Sequence, residues 1–301
     1  MKDGNHDFVD AQQLIQLIPE LRGRSLAITP LGGGLTNRNF RVDGDGESFV
    51  LRVPGKDTAL LGIDRACEFA CSGAAAALDV GPEVLAFLPE HGVILRRFVP
   101  GRMLAAEDLQ QPGILSRVVE ALRRYHNGPC GAGYFSPFVT VRQYYELARE
   151  RKVSFPDVLG RALERLNHIE QELHNDALSC PCHNDLLPAN FIDDGGVIRI
   201  IDWEYAGMGD RFFDLGNLAV NCGFNGGHER LLLELYFGEA HPSDMRRLHL
   251  MRLASDMREA MWGFVQSAVS ILDEDYLAYG RKHLDRFLNR SDLIENTGER
   301  P

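Results

Sequence analysis

Residues 182–214 read CHNDLLPANFIDDGGVIRIIDWEYAGMGDRFFD, and the rest of the chain is organised around them. His183-Asn184-Asp185 stands five residues ahead of Asn190, and Asp202 follows directly on the apolar run Val197-Ile198-Arg199-Ile200-Ile201. That run is rich in β-branched residues and follows the turn signal Asp193-Asp194-Gly195-Gly196, so it predicts a strand returning beside Asn190-Phe191-Ile192. Such a hairpin brings Asp185, Asn190 and Asp202 to one end of a small sheet.

Three oxygen-bearing side chains gathered in this way suit phosphoryl transfer, in which a protein mostly positions nucleotide, metal and nucleophile. An Asp followed five residues later by an Asn is the spacing of a kinase catalytic loop: the Asp takes the hydroxyl proton and the Asn binds metal. A second Asp after a hydrophobic strand is the main magnesium ligand of such a site. Asp and Asn are also common turn residues. The combination H-N-D-x-x-x-x-N followed by I-I-D is what favours chemistry over turns.

A chain of 301 residues has room for two lobes with separate cores. Its 32 basic and 43 acidic residues give a net charge of −11. That balance gives no general reason to seek nucleic acid or anionic membranes, and it suits a cationic small substrate. No apolar stretch approaches the roughly 20 residues needed to span a bilayer. The charged amino terminus MKDGNHDFVD has no apolar signal core, so a cytoplasmic protein is expected. The six cysteines fit that compartment as free thiols; Cys180-Pro-Cys182-His183 clusters soft ligands but lacks the second pair of a zinc site.

Apolar spacing predicts a leading helix over 10–21, then strands over 26–31, 39–42 and 49–53. Gly32-Gly33-Gly34 lies between the first two strands, where backbone N–H groups can approach phosphate oxygens unobstructed by side chains. The third strand carries Arg52 where a kinase fold places the basic residue that holds the ATP phosphates. Asn37 and Arg38 are further candidates for ordering the phosphates or the loop. A helix over 63–78 carries Glu68, placed to pair with that basic residue; an exposed helical Glu would read the same way. Strands over 84–87 and 93–95 follow, and Pro100-Gly101 breaks the sheet, so the lobe boundary is placed near Phe98, dividing the chain into 1–97 and 98–301. The remainder predicts helices over 115–126, 141–152, 157–175, 230–237, 243–270 and 275–289. His126 is read as a structural histidine.

The segments CHNDLLPANF, IIDWEYAGMGDRFFDLGN, GGGLTNRNF, FVLRVPG and MREAMWGF together resemble the choline/ethanolamine kinases and their aminoglycoside-phosphotransferase-like relatives, over most of the chain. His183-Asn184-Asp185 and Trp203-Glu204-Tyr205 resemble the choline-kinase branch, including its bacterial members. The resemblance implies an α+β, two-lobed protein-kinase-like fold, with a small antiparallel sheet and one main helix in the first lobe and a mostly helical second lobe. It implies an ATP-dependent, magnesium-using kinase of choline or a related amino alcohol. Asp185, Asn190 and Asp202 would be catalytic, with Asn190 and Asp202 on the metal. Gly33, Gly34, Asn37, Arg52, Glu68 and the connection at Phe98 would bind the nucleotide, and Asp214 would brace the catalytic loop.

The acceptor side would use Glu204 as a carboxylate, with Trp262 and Tyr279 as aromatic walls for a quaternary ammonium. Where many relatives have a second Trp, this chain has Val265, so the cage is thinner. Thiamine, aminoglycoside and other sugar or amino-alcohol kinases share such a catalytic loop and are alternatives, as is a pseudokinase-type binding protein. The sequence does not fix the oligomeric state; a homodimer is one arrangement open to it.

Overall fold

Strand alternation decides the architecture of the first lobe. In the computed structural model, which describes residues 4–32, 37–55, 58–129, 131–173, 179–270 and 274–296, five strands form an antiparallel sheet. They are β1 (Ala27–Leu31), β2 (Asn37–Gly44), β3 (Glu47–Pro54), β4 (Val84–Leu88) and β5 (Val93–Arg97), in the order β1-β2-β3-β5-β4. Phe40, Val42, Phe49, Leu51, Val53, Val93 and Leu95 share one face and pack on Ala11 and Ile15 of α1 (Gly4–Leu17) to form a buried core. The intervening residues, Arg52 and Arg96 among them, fall on the opposite face, where α2 (Arg65–Ala77) lies and its Phe69 stacks on Phe87 at 4.6 Å. α1 stops at Leu17 rather than continuing to Leu21, because Pro19 cannot supply the next helical N–H.

The second lobe begins with β6 (Arg102–Met103), α3 (Ala106–Leu109), α4 (Pro112–His126), α5 (Pro137–Glu150) and α6 (Leu159–Leu173). The catalytic stretch follows as β7 (Ser179–Cys182), β8 (Phe191–Asp193), β9 (Ile198–Ile200) and β10 (Gly207–Asp210), and then come α7 (Arg211–Asn221), α8 (Gly226–Phe237), α9 (Pro242–Val269) and α10 (Tyr276–Asn296). β8 and β9 form the expected hairpin, with Phe191 opposite Ile200. β7 and β10 form an antiparallel ribbon that includes Pro181. Each strand of a two-stranded ribbon is an edge, where a missing N–H is tolerated. The helix α7 was not expected; Asp210 caps it, accepting the Phe212 N–H at 2.9 Å.

α9 is the centre of this lobe, packed against α5, α7 and α10 and buried almost continuously from Leu248 to Gln266. It meets α10 through glycines: a Cβ on Gly263 would lie 2.8 Å from the Gly280 nitrogen, so only glycine permits this approach. That contact seats Trp262 against the tyrosines of α10. The whole is the α+β, two-lobed, protein-kinase-like architecture expected from the sequence. Among the described residues, no helix is long and apolar enough to cross a membrane.

Candidate active site

The loop between β7 and β8 is fixed by α7. The Asp214 carboxylate accepts the backbone N–H groups of His183 at 2.8 Å and Asn184 at 2.7 Å, and Asn217 Oδ1 accepts that of Leu186 at 2.5 Å. Asn184 sits in the left-handed region at φ 66°, a conformation Asn tolerates better than most residues. His126 Nε2 lies 3.0 Å from Asp214 Oδ2, with its Nδ1 2.7 Å from the Tyr236 hydroxyl, so this histidine serves the brace. His183 is likewise spent: its Nδ1 accepts the Asp185 N–H at 3.2 Å, and its Nε2 lies 2.9 Å from the Ile201 carbonyl oxygen. It is therefore not a metal ligand alongside Cys180 and Cys182, whose sulfurs are 3.6 Å apart. Cys182 instead falls beside His126 and Asp214, with donor atoms within 4.8 Å of one another, but two of these three are already joined by the brace hydrogen bond.

The hairpin then delivers Asp202. Asn190 donates from Nδ2 to the Asp185 carbonyl at 2.9 Å, and its own carbonyl accepts the N–H of Ile201, the residue before Asp202, at 2.9 Å. Asp202 adopts φ 69°, a strained setting for a non-glycine residue and one concentrated at functional sites.

This left-handed turn changes where Glu204 goes. Glu204 was expected beside the acceptor, but its Oε2 receives Arg52 Nη2 at 2.7 Å and Asn37 Nδ2 at 2.8 Å and lies 3.4 Å from Arg65 Nη1. These contacts tie it to Arg52 and Asn37 of the first-lobe sheet and to Arg65 of α2. Arg52 is the hub of this cluster: its Nε lies 3.1 Å from Glu68 and its Nη1 2.5 Å from Asp202, while Arg65 adds a 2.6 Å bond to Glu68. Burial would lower the Arg52 pKa, but Asp202, Glu68 and Glu204 together outweigh it and hold the guanidinium charged. Burial alone would raise the Asp202 pKa; Arg52 reverses this and keeps the carboxyl below its usual range. Burial raises the Glu204 pKa, and Asp202 adds to the rise.

Phe98, at the connection between the lobes, has its backbone donor already engaged. Its N–H is committed to the Ser48 carbonyl at 2.9 Å and its ring lies beneath the Arg41 guanidinium at 4.3 Å, so it offers a nucleotide no backbone donor. Gly33 and Gly34 lie outside the described residues.

On the acceptor side a hydrogen-bonded chain runs from the catalytic loop to the aromatic residues. Arg258 Nη1 lies 3.1 Å from Asp185 Oδ1 and also contacts Glu259, and the Tyr279 hydroxyl donates to Glu259 Oε2 at 2.7 Å. Trp262 meets Tyr279 edge-on, with ring centroids 5.6 Å apart at 68°, and meets Tyr276 at 5.7 Å and 77°. The Arg258 guanidinium rests over the Tyr205 ring at 4.3 Å. Burial pushes the Asp185 carboxyl up to about 7; Arg258 opposes this, while Glu259, Asp202 and Glu204 reinforce it. Burial would also raise Glu259, but Arg258 and then Tyr279 hold it low and ionised. Arg258 and Glu259 were not anticipated. The signal was an adjacent charged pair inside the otherwise apolar helix segment MREAMWGF.

The donors converging here are hard oxygens, the Asp202 carboxylate and the amide oxygen that Asn190 keeps once its Nδ2 is committed to Asp185, and these suit magnesium. A two-lobed fold with a buried carboxylate at the head of the loop, a buried arginine hub and such donors at one hairpin fits a kinase-like phosphotransferase. The sequence matches the model of the phosphotransferase enzyme family over residues 27–250. A solved choline/ethanolamine kinase family protein from Mesorhizobium loti is 30% identical, covers 97% of each chain and has a TM-score of 0.84. Protein LicA of Haemophilus influenzae is 29% identical over 265 residues, 84% of this chain and 76% of LicA. Ethanolamine kinase 2 of Homo sapiens is 27% identical over 304 residues, 89% of this chain and 77% of the human protein. The chain belongs to the phosphotransferase enzyme family, on its choline/ethanolamine kinase side.

Proposed function

We propose that the protein transfers the γ-phosphoryl group of ATP to the hydroxyl of choline or a closely related amino alcohol. The observation that carries this reading is the continuous chain Asp185–Arg258–Glu259–Tyr279–Trp262, which joins a proton acceptor to an aromatic corner with an ionised carboxylate between them. A cationic head against Trp262 and Tyr279, with Glu259 supplying opposite charge, sets its hydroxyl toward Asp185. Arg258 occupies Oδ1 of Asp185, which leaves Oδ2 to take the hydroxyl proton as the new O–P bond forms and the bond to the β-phosphate oxygen breaks, releasing ADP. Arg52, held by Glu68 and Glu204, would bind the phosphates. Asn190 and Asp202 would hold magnesium, which would supply positive charge to offset that of the transferred phosphoryl group. The described cysteines are free thiols, which supports a reducing, cytoplasmic setting.

ATP consumption measured across choline, ethanolamine, thiamine and an aminoglycoside tests the acceptor class. Choline or ethanolamine should give the highest kcat/KM, and a clear preference for thiamine or the aminoglycoside would replace the reading. Trp262→Ala should raise the KM for choline by roughly 3- to 30-fold, the loss of one cation–π wall, with little change in the KM for ATP. Melting temperature is the control, because Trp262 is largely buried. A stable variant with unaltered choline KM would remove Trp262 from the acceptor site.

A further inference from the structure

Arg96 lies on β5, on the same sheet face as Arg52. Val50 and Arg52 of β3 stand opposite Arg96 and Ile94 of β5, so the two arginines are diagonal neighbours beneath α2. The residue is 5% exposed, and its Nη1 is buried with no hydrogen-bond partner among the described residues. The nearby carboxylates are already taken: Asp202 by Arg52, Glu68 by Arg52 and Arg65, and Glu204 by Arg52, Arg65 and Asn37. Arg96 is within their electrostatic reach without touching them. Burial, and then repulsion from Arg52, bring its pKa down to about 10. A buried guanidinium nitrogen left without an acceptor costs stability, and an anion bound against this face would supply the missing acceptor.

We propose that Arg96 is a second phosphate-binding cation of this phosphotransferase, which completes its hydrogen bonds on the polyphosphate of the donor nucleotide. This assignment rests on ATP as the donor. Arg96 faces Arg52, Asp202 and Glu204, the phosphate-directed groups, and so discriminates nucleotides by their phosphates. Arg52 holds its place through its carboxylate partners whether or not nucleotide is bound; Arg96 becomes fully paired only with nucleotide. The two arginines therefore differ in what they do for the nucleotide-free protein. Arg52 stabilises it through its ion pairs, whereas Arg96 destabilises it.

Calorimetric titration of the wild-type protein and of Arg96→Met with ATP, ADP, AMP and adenosine, at fixed magnesium, tests this. The expected result is a loss of roughly 10- to 100-fold in ATP and ADP affinity, the worth of a charge-assisted hydrogen bond, with adenosine unaffected. The nucleotide-free Arg96→Met protein should melt at the wild-type temperature or above it. Arg96→Lys, which keeps the charge but not the fork, should recover part of the ATP affinity. Equal losses for adenosine and ATP, or a lower melting temperature accompanied by uniform losses, would show a base-reading or purely structural arginine and overturn the proposal. Unchanged ATP affinity in Arg96→Met overturns it with the donor reading intact, whereas a wild-type protein that binds no ATP overturns both. If Arg96→Met fails to fold, the arginine is structural, unless Arg96→Lys folds and reproduces the phosphate-dependent loss.

Discussion

Asp185→Asn is expected to lower turnover by about 10²–10⁴-fold while ATP affinity stays near wild type. The substitution keeps the shape and the contact with Arg258 but removes the proton acceptor. Because burial raises this carboxyl to about 7, wild-type kcat/KM should rise with pH through neutrality and then level off as Asp185 becomes ionised. The variant should lack that limb. Stability moves the other way. In the unfolded chain the carboxyl loses its proton near 3.8, in the folded protein near 7, so the native state binds the extra proton between these values. Its contribution to stability is fully present below about 3.8 and is lost as pH rises to 7. Asp185→Asn should consequently melt at or above the wild-type temperature at neutral pH. A folded variant with near-normal turnover would take Asp185 out of the base role.

The grouping of the candidate residues Asp185, Asn190 and Asp202 is legible in the sequence because its geometry is local. Five residues separate Asp185 from Asn190, and one hairpin returns Asp202 to them, so spacing and turn chemistry suffice. The placement of Glu204 is not legible in the same way. It follows Asp202 by two residues, and only the left-handed φ of Asp202, which a sequence does not announce, decides that it swings back under β3. Arg258 reaches Asp185 from more than seventy residues away, with Glu259 paired to it, through the packing of α9 against α7 and α10. A helix buried on all sides has no polar face to reveal its period, so charges within it read as exceptions. Their meaning comes from their partners. α7 escaped notice because Asp214 and its neighbours read as a loop brace, although the capping Asp210 ahead of an apolar run was a start signal.

Asp202→Asn should uncouple ATP binding from magnesium. Asparagine is the better probe than alanine, since the φ of 69° at this position is one that Asn accepts with little strain and Ala does not. The wild-type carboxyl is held below its usual range because Arg52 outweighs burial, so it is anionic throughout the neutral range and its replacement removes a full charge. Arg52 retains Glu68 and Glu204, which keeps the hub in place and limits the structural loss. What disappears is the carboxylate that would hold the metal against the phosphates. ATP affinity should then vary little between magnesium-free and magnesium-saturated buffer, where the wild type should show a clear gain, and turnover should fall on the order of 10²–10³-fold. A stability measurement across pH adds an independent sign. A carboxyl of lowered pKa contributes stability that is present above its unfolded value near 3.8 and disappears as the solution becomes more acidic. The wild type should therefore exceed Asp202→Asn in melting temperature at neutral pH and converge with it in acid. An unchanged magnesium dependence in a folded variant would mean that the metal is held by other groups, and Asp202 would then serve only to orient Arg52.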